Sequence, residues 1–506
     1  MNASRKNIIW AILLCLALIA ALPLFLWHQA NDTRQFVEEI RARMREQGFR
    51  TDLADFHVVT NDAMGERTAA TRLYLHDPHL FTNDDPMELL PLVSNDIATV
   101  VWKKDSFKIW KRPEFHWQLG SNALHWSDLH AIFDTNRWML TVAADAALSG
   151  HLQFDLIADS NGIYMNDWHL EYLSRTFSRL AMLEMHDGNP DAAWTNLLAA
   201  TRLVTASDPG PTFDSQLLHL EMEGAAFADT WQVLQKGDWQ DEKLAVLQHE
   251  WQSANSFTNL TEKTVIDHAN DVAACRQLGQ QIFDDFSFAG LGNEALVEPS
   301  SAFGEIKDRA ALAIYSRYGE LADERGLMIW FQDRARDRRR ALQATSWVEM
   351  RALPGVTNVA PFTSAFPRAT EVVGINHSMD TILFALVANG EARRRVLITA
   401  LALERYRGKH CTYPNSLAPL SPEFLTAAPK DFMDGQTLRY RLTDDGHFVL
   451  YSVGLNCVDD GRRLSDPSAP GAYDNFWKDP SGVTNLYIVW PRPDDSRTNV
   501  ARSQTR

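Results

Sequence analysis

The stretch that decides the reading begins with Arg393–Arg407, RRRVLITALALERYR. It continues through residues 408–417, GKHCTYPNSL, and residues 429–454, PKDFMDGQTLRYRLTDDGHFVLYSVG. The first segment has helical periodicity. Leu397, Ala400, Leu401 and Leu403 share the buried face, and the arginines are expected to stay in water. Pro414 cannot continue a helix. Further on, Leu438, Tyr440 and Leu442 alternate with Arg439 and Arg441, the period of a half-buried strand. Asp444-Asp445-Gly446 supplies a turn, and Phe448–Val453 is apolar enough to be covered on both faces. A helix followed by a hairpin is therefore predicted.

Working back toward the N-terminus, Thr381–Ala388 begins a helix that leads toward this stretch. That helix either runs on through Gly390 or, because glycine costs about 1 kcal/mol in a helix interior, bends or breaks there. Trp126–Ala352 is strongly helical. Its clearest unit is Tyr172–Thr205, where Asp187-Gly188 stops one helix. Asn189 caps the next, with Pro190 at its first position. A second pair follows over Phe213–Gln235 and Gln240–Ala254, with Asp238 as N-cap. Further helices are expected over Val265–Phe283 and Ser300–Glu349, then a proline-rich loop over Ala352–Phe366. Residues 50–125 mix short apolar runs with turns and do not resolve into elements. After Gly461 the chain is turn-rich, with a last strand at Leu486–Trp490 and a polar tail from Asp494 whose composition predicts disorder.

Ile8–Trp27 is a 20-residue run without charge, the length of a bilayer's hydrocarbon core. Arg5 and Lys6 precede it, which favours an N-terminus left inside and a body facing out. A cleaved leader is the alternative, but the nearest site, His28-Gln29-Ala30, has a bulky residue at its first position. Thr33–Gln47 then reads as an amphipathic helix ended by Gly48.

The net charge of −16 opposes a nucleic-acid partner. The basic knots Arg334–Arg340 and Arg393–Arg395 read as solvated helix faces. Four cysteines include no CxxC pair and no zinc spacing. The histidines of the HDPH and HWSDLH segments, His76, His79, His125 and His130, read as surface or capping groups. Catalytic motifs are near misses. His249-Glu250 is followed by Ser253 where a second zinc ligand would stand, and Gly290-Leu291-Gly292 lacks the rest of a dinucleotide loop. Glu221 and Glu223 near His219 read as groups on different helix faces rather than a shared site.

Two resemblances add to this. ALERYR…YP…L, then DG, LRYR and F-LYSVG, resembles the globular domain of the major pseudopilins of type II secretion systems, over about the last fifth of the chain. Gly188, Ala193, Leu197 and Ala200 have spacings similar to a tetratricopeptide repeat. The pseudopilin resemblance implies a calcium loop after the LYSVG strand, held by Asn456, Asp459 and Asp460, with Asp466 near. It also brings the loops of Cys411 and Cys457 together, where related sequences carry glycine, and a disulfide is expected between them. No other cofactor is expected. The chain departs from that family at its start, where Asn7 precedes Ile8 and Ile12 stands in place of a glutamate. Some 360 residues also separate the apolar run from the module.

The expected fold is mainly α: a transmembrane helix, an irregular helical array and a small C-terminal α+β pseudopilin-like domain. The expected divisions are 1–30 (cytoplasmic tip and anchor), 31–125 (mixed), 126–370 (array), 371–493 (helix plus module) and 494–506 (tail). The whole layout resembles bacterial membrane-anchored proteins that append such a module to a helical region. The expected function is interaction or scaffolding outside the cytoplasm, with protein partners, on a single-pass bacterial membrane protein facing the periplasm or exterior. The alternatives are an accessory component of a secretion or pilus-like assembly, and an enzyme with a groove in the array.

Overall fold

The structure is a computed structural model. It describes residues 3–56, 58–59, 126–149, 156–159, 162–165, 168–234, 239–284, 320–364, 367–377, 380–443, 446, 448–459 and 488–490. Residues 60–125 and the tail lie outside this set, as do His76, His79, His125, Asp238, Asp444, Asp445, Asp460 and Asp466. The described residues are mainly helical, with two small three-stranded sheets. The helices are α1 (Ala3–Glu46), α2 (Trp126–Leu148), α3 (Trp168–His186), α4 (Pro190–Thr205), α5 (Phe213–Leu234) and α6 (Asp241–Ser253). They continue as α7 (Leu260–Asp284), α8 (Glu320–Ala341), α9 (Trp347–Met350), α10 (Pro367–Asn376) and α11 (Asp380–His410). The strands are β1 (Val58–Val59), β2 (Leu156–Asp159), β3 (Gly162–Met165), β4 (Arg439–Leu442), β5 (Phe448–Ser452) and β6 (Ile488–Trp490).

Contacts divide the chain into two compact units built from alternating stretches. The first comprises Met1–His57, Thr264–Arg338 and Val359–Met379. Within it Val37, Ile40 and Met44 recur at helical spacing on α1 and are buried with Phe49, Val265, Met328, Phe331 and Ala335. The helix ends as expected. Gly48 takes φ +76°, open to glycine, and Phe49 N–H reaches Met44 O at 3.0 Å. Ile8–Trp27 falls inside α1, although most of its side chains lie outside the described residues. Among the described residues no helix is long and apolar enough to cross a membrane. Cys275, Leu327, Phe362, Ala369 and Val373 form a second cluster in this unit.

The basic knot on α8 is not the solvated face expected of it. Arg334 and Arg338 are buried. Arg338 Nη1 donates to Thr264 Oγ1 at 2.9 Å and to Asp267 Oδ2 at 3.2 Å, so a carboxylate 71 residues away in sequence draws the charge inward. The single long helix expected over 300–349 is also shorter in its described part. It ends at Ala341, and α9 starts afresh with Ser346 Oγ accepting from Glu349 N–H.

The second unit comprises Val58–Lys263, Arg339–Asn358 and Asp380–Arg506. Helices α3 and α4 make the expected hairpin. Gly188 takes φ +83°, Asn189 N–H returns to Glu184 O at 2.8 Å, and Pro190 opens α4. Asn189 does not cap through its side chain. Its amide donates to Glu184 Oε2 at 2.9 Å instead, because the buried Glu184 sits across the turn. Ala193, Leu197 and Ala200 are fully buried, and these small residues let α3, α4 and α5 pack closely. Helix α6 begins at Asp241 after Gln240, with no side-chain cap.

A strand pair interrupts the region read as helical. β2 pairs antiparallel with β3 and parallel with β1, Val58 facing Leu156. Asn161-Gly162 between two apolar runs is the hairpin signal that the helical reading passed over.

Helix α11 runs unbroken through Gly390. A Cβ there would fall 2.6 Å from Leu220 Cδ2 and 2.8 Å from Glu223 Oε2 on α5. Glycine is therefore a requirement of close helix crossing, not a hinge. Leu397, Ala400, Leu401 and Leu403 are fully buried as read. The C-terminal sheet has order β4-β5-β6, all antiparallel, with Arg439 facing Tyr451 and Leu450 facing Trp490. The interior of β5 is covered on both faces, and α11 packs on β5 and β6.

Candidate functional site

The loop Asp431–Gly435 is the knot of the C-terminal module. The fully buried Asp431 accepts from Met433 N–H at 2.9 Å, Ser452 Oγ–H at 2.6 Å and Val453 N–H at 2.8 Å. Arg439 Nη1 adds a fourth donor at 3.4 Å. Burial pushes the Asp431 carboxyl up, against the pull of the Ser452, Met433 and Val453 donors. The loop in turn seats α9. Trp347 N–H reaches Phe432 O at 2.7 Å and Val348 N–H reaches Met433 O at 3.0 Å. Trp347 Nε1 and Arg351 Nη1 both donate to Leu455 O at 3.0 Å.

Arg439 gathers three carboxylates. Nη2 donates to Asp434 Oδ2 at 2.5 Å, Nη1 to Asp434 Oδ1 at 3.1 Å and Asp431 Oδ2 at 3.4 Å, and Nε to Asp459 Oδ2 at 3.2 Å. The Asp434 hydrogen bonds come first among the causes that raise the guanidinium's already high pKa. Tyr451 O–H also donates to Asp459 Oδ1, at 3.2 Å. An open depression of about 460 Å³ lies beside this centre, lined by Gln436–Arg441 and Tyr451.

The expected calcium ligands meet this network. Asn456 Oδ1 accepts from Val458 N–H at 3.1 Å, which closes a local turn. Asp459 lies against the Arg439 guanidinium, and Asp460 falls outside the described residues. A calcium ion on Asp459 would share that carboxylate with a fixed cation. The described residues therefore do not fit the calcium site implied by the resemblance.

Cys411 and Cys457 stand as free thiols, and the expected bridge between them is not formed. Cys411 is exposed, while Cys457 Sγ lies 3.2 Å from Met433 O and burial pushes its thiol up to about 11. Both take φ +61°, the left-handed region that favours glycine, in line with their glycine-like places in the sequence.

A second polar centre lies at the crossing of α5 and α11, where sequence reading set aside its central residue. Glu223 is buried, with Oε2 accepting from Ser256 Oγ–H at 3.3 Å and Oε1 without a hydrogen-bond partner. Buried Glu391 accepts from Arg394 Nε at 2.7 Å and Arg395 Nε at 2.7 Å, and Arg394 Nη1 donates to Trp251 O at 2.8 Å. Arg393 covers Gly224, where a Cβ would fall 2.9 Å from its Nη1. The arginines of this knot are thus half-buried, not solvated, because Glu391 and the face of Phe432 receive them. Burial raises Glu223 to about 7; Arg393 and Arg394 oppose this and Glu391 adds to it. Burial alone lowers His219, one turn back on α5, to about 4. His219 and Glu223 at i, i+4 were the available signal; the charged neighbours of Glu223 on α11 lie more than 160 residues away in sequence. Glu223 is 1% exposed, so its charge state acts on the helix crossing and not on a dissolved ligand.

In the first unit His377 Nε2 meets Asp271 Oδ2 at 2.8 Å, with Trp330 edge-on to the imidazole at 4.5 Å. His249 and Glu250 on α6 form no ligand pair; Glu250 accepts from Thr205 Oγ1 at 3.3 Å. His130 instead pairs with Asp187 at 3.0 Å, as a surface group. No family model, curated protein or solved structure matches the chain.

Proposed function

We propose that the chain is a membrane-anchored, extracytoplasmic interaction or scaffold protein of a bacterial cell. In this reading Ile8–Trp27 is the single-pass anchor, the helical array is the outward-facing body, and the C-terminal α+β module resembles the major pseudopilins. One observation carries it. Helix α11 packs on α5 and α6 and also on β5 and β6, so array and module share one element. A filament subunit needs its module on a helix free to stack with copies of itself. Here that helix is enclosed by its own chain, which favours a rigid body for holding other proteins. An accessory role beside a secretion or pilus-like machine rests on the same module, and its mark would be co-purification with that machine.

Two measurements test the proposal. Membranes washed with alkaline carbonate should retain the chain with its N-terminus intact, and protease added from outside should digest the body. Release of a soluble chain with a new N-terminus near Ala30 would sink the anchor. A photo-cross-linking residue at the exposed Val246 should trap a discrete extracytoplasmic protein in intact cells. Absence of any adduct, combined with turnover of a small molecule by the purified chain, would favour an enzyme instead.

A further inference from the structure

We propose that the Arg439 guanidinium is the resident cation of the C-terminal module, filling the place a calcium ion would take at Asp459 and making the loop that carries Asp459 independent of calcium. This rests on the module's resemblance for the expectation of a metal, and on the geometry alone for its replacement. Three carboxylates converge on one group. Asp434 takes the guanidinium's two terminal nitrogens, Asp431 shares Nη1, and Asp459 takes Nε. The carbonyl of Thr437 accepts from Nη1 as well, at 3.3 Å. These are oxygen donors of the kind a hard cation uses, and Asp459 is the one they share with the calcium loop that the resemblance implies.

The fit to arginine is specific. A planar fork can bind the two Asp434 oxygens side by side while its Nε faces a third carboxylate. The centre is also sheltered. Asp431 is wholly buried, Asp434 and the Arg439 side chain are mostly so, and only Asp459 faces solvent appreciably. Without Arg439, a wholly buried carboxylate, a mostly buried one and a partly exposed one would stand together with no cation between them. Their mutual repulsion would open the Asp431–Gly435 loop, which also carries the backbone hydrogen bonds to Trp347 and Val348. A divalent ion is the ready substitute for the lost charge.

The experiment uses the full chain in mild detergent. The wild type should melt at the same temperature in millimolar calcium and in excess EGTA. Arg439→Ala should melt lower in EGTA by roughly 5 °C or more, and calcium should restore a substantial part of that loss. Adding Asp459→Asn to the variant should abolish the restoration. If Arg439→Ala does not fold, Arg439→Lys, which keeps the charge without the fork, should fold in EGTA; its failure to do so would overturn the proposal. A stoichiometric calcium ion bound by the wild type and lost in Asp459→Asn would also overturn it. So would an Arg439→Ala protein as stable as the wild type in EGTA, which would separate this proposal from the scaffold reading and leave the latter standing.

Discussion

Replacing Glu223 with glutamine probes the buried crossing of α5 and α11 through its pH dependence. In the folded chain Glu223 holds its proton up to about pH 7, whereas an ordinary glutamate releases it near 4.5. Between those values the folded state binds more protons than the unfolded one, so this residue's contribution to stability is full at low pH and falls as pH rises. The whole fall is about 3 kcal/mol at 1.36 kcal/mol per pKa unit. His219 works the other way. It stays neutral down to about 4 in the fold but would protonate near 6.5 when unfolded. Its contribution is lost as pH drops through that window, again by about 3 kcal/mol. In the wild type the two slopes largely cancel between about pH 4.5 and 6.5. Glu223→Gln removes one slope and keeps the shape. Urea unfolding at a series of pH values should show the variant gaining about 3 kcal/mol on the wild type from pH 4.5 to 7. His219→Gln should produce the opposite divergence. A difference between wild type and Glu223→Gln that stays flat across this window would refute the buried, proton-holding carboxyl.

Gly390→Val should destabilise the chain by about 2 kcal/mol, read from the denaturation midpoint, because its side chain would overlap Leu220 and Glu223. Cys411→Gly should stabilise by about 1 kcal/mol by relieving a left-handed backbone at the end of α11, and an unchanged or lower midpoint would count against that geometry. Ala193→Pro should cost roughly 3 kcal/mol or more, since it removes the Ala193 N–H bond to Asn189 O inside α4. An unaltered melting temperature would mean that α4 does not exist as described.

What the sequence made legible was whatever depends on near neighbours. The apolar stripe of α11, the strand around Tyr440 and the Gly188-Asn189-Pro190 turn all act within a few residues, and each element appears where its pattern put it, although Arg439 is half-buried like Tyr440. What stayed hidden depends on distant partners. Arg338 and Arg394 look like solvent-facing charges until Asp267 and the Trp251 carbonyl are brought to them. At Gly390 the sequence shows only the local cost of a glycine, whereas its use lies on α5. The calcium loop implied by the resemblance depends on a distant partner too, because Arg439, 20 residues earlier, already reaches Asp459.

Helix α11 has 31 residues, and at 1.5 Å per residue it is a strut about 46 Å long. Near one stretch Arg394 is tied to the Trp251 carbonyl, and further along Arg405 is clamped by Asp241 while Gln248 holds the Phe424 carbonyl. A pull on the C-terminal sheet would therefore load these lateral ties in shear, several at once. It would not peel a hinge open one bond at a time. Tension applied there should travel along the helix into α5 and α6 with little stretch. In a single-molecule pulling experiment the sheet and those helices should yield together, as one rupture event.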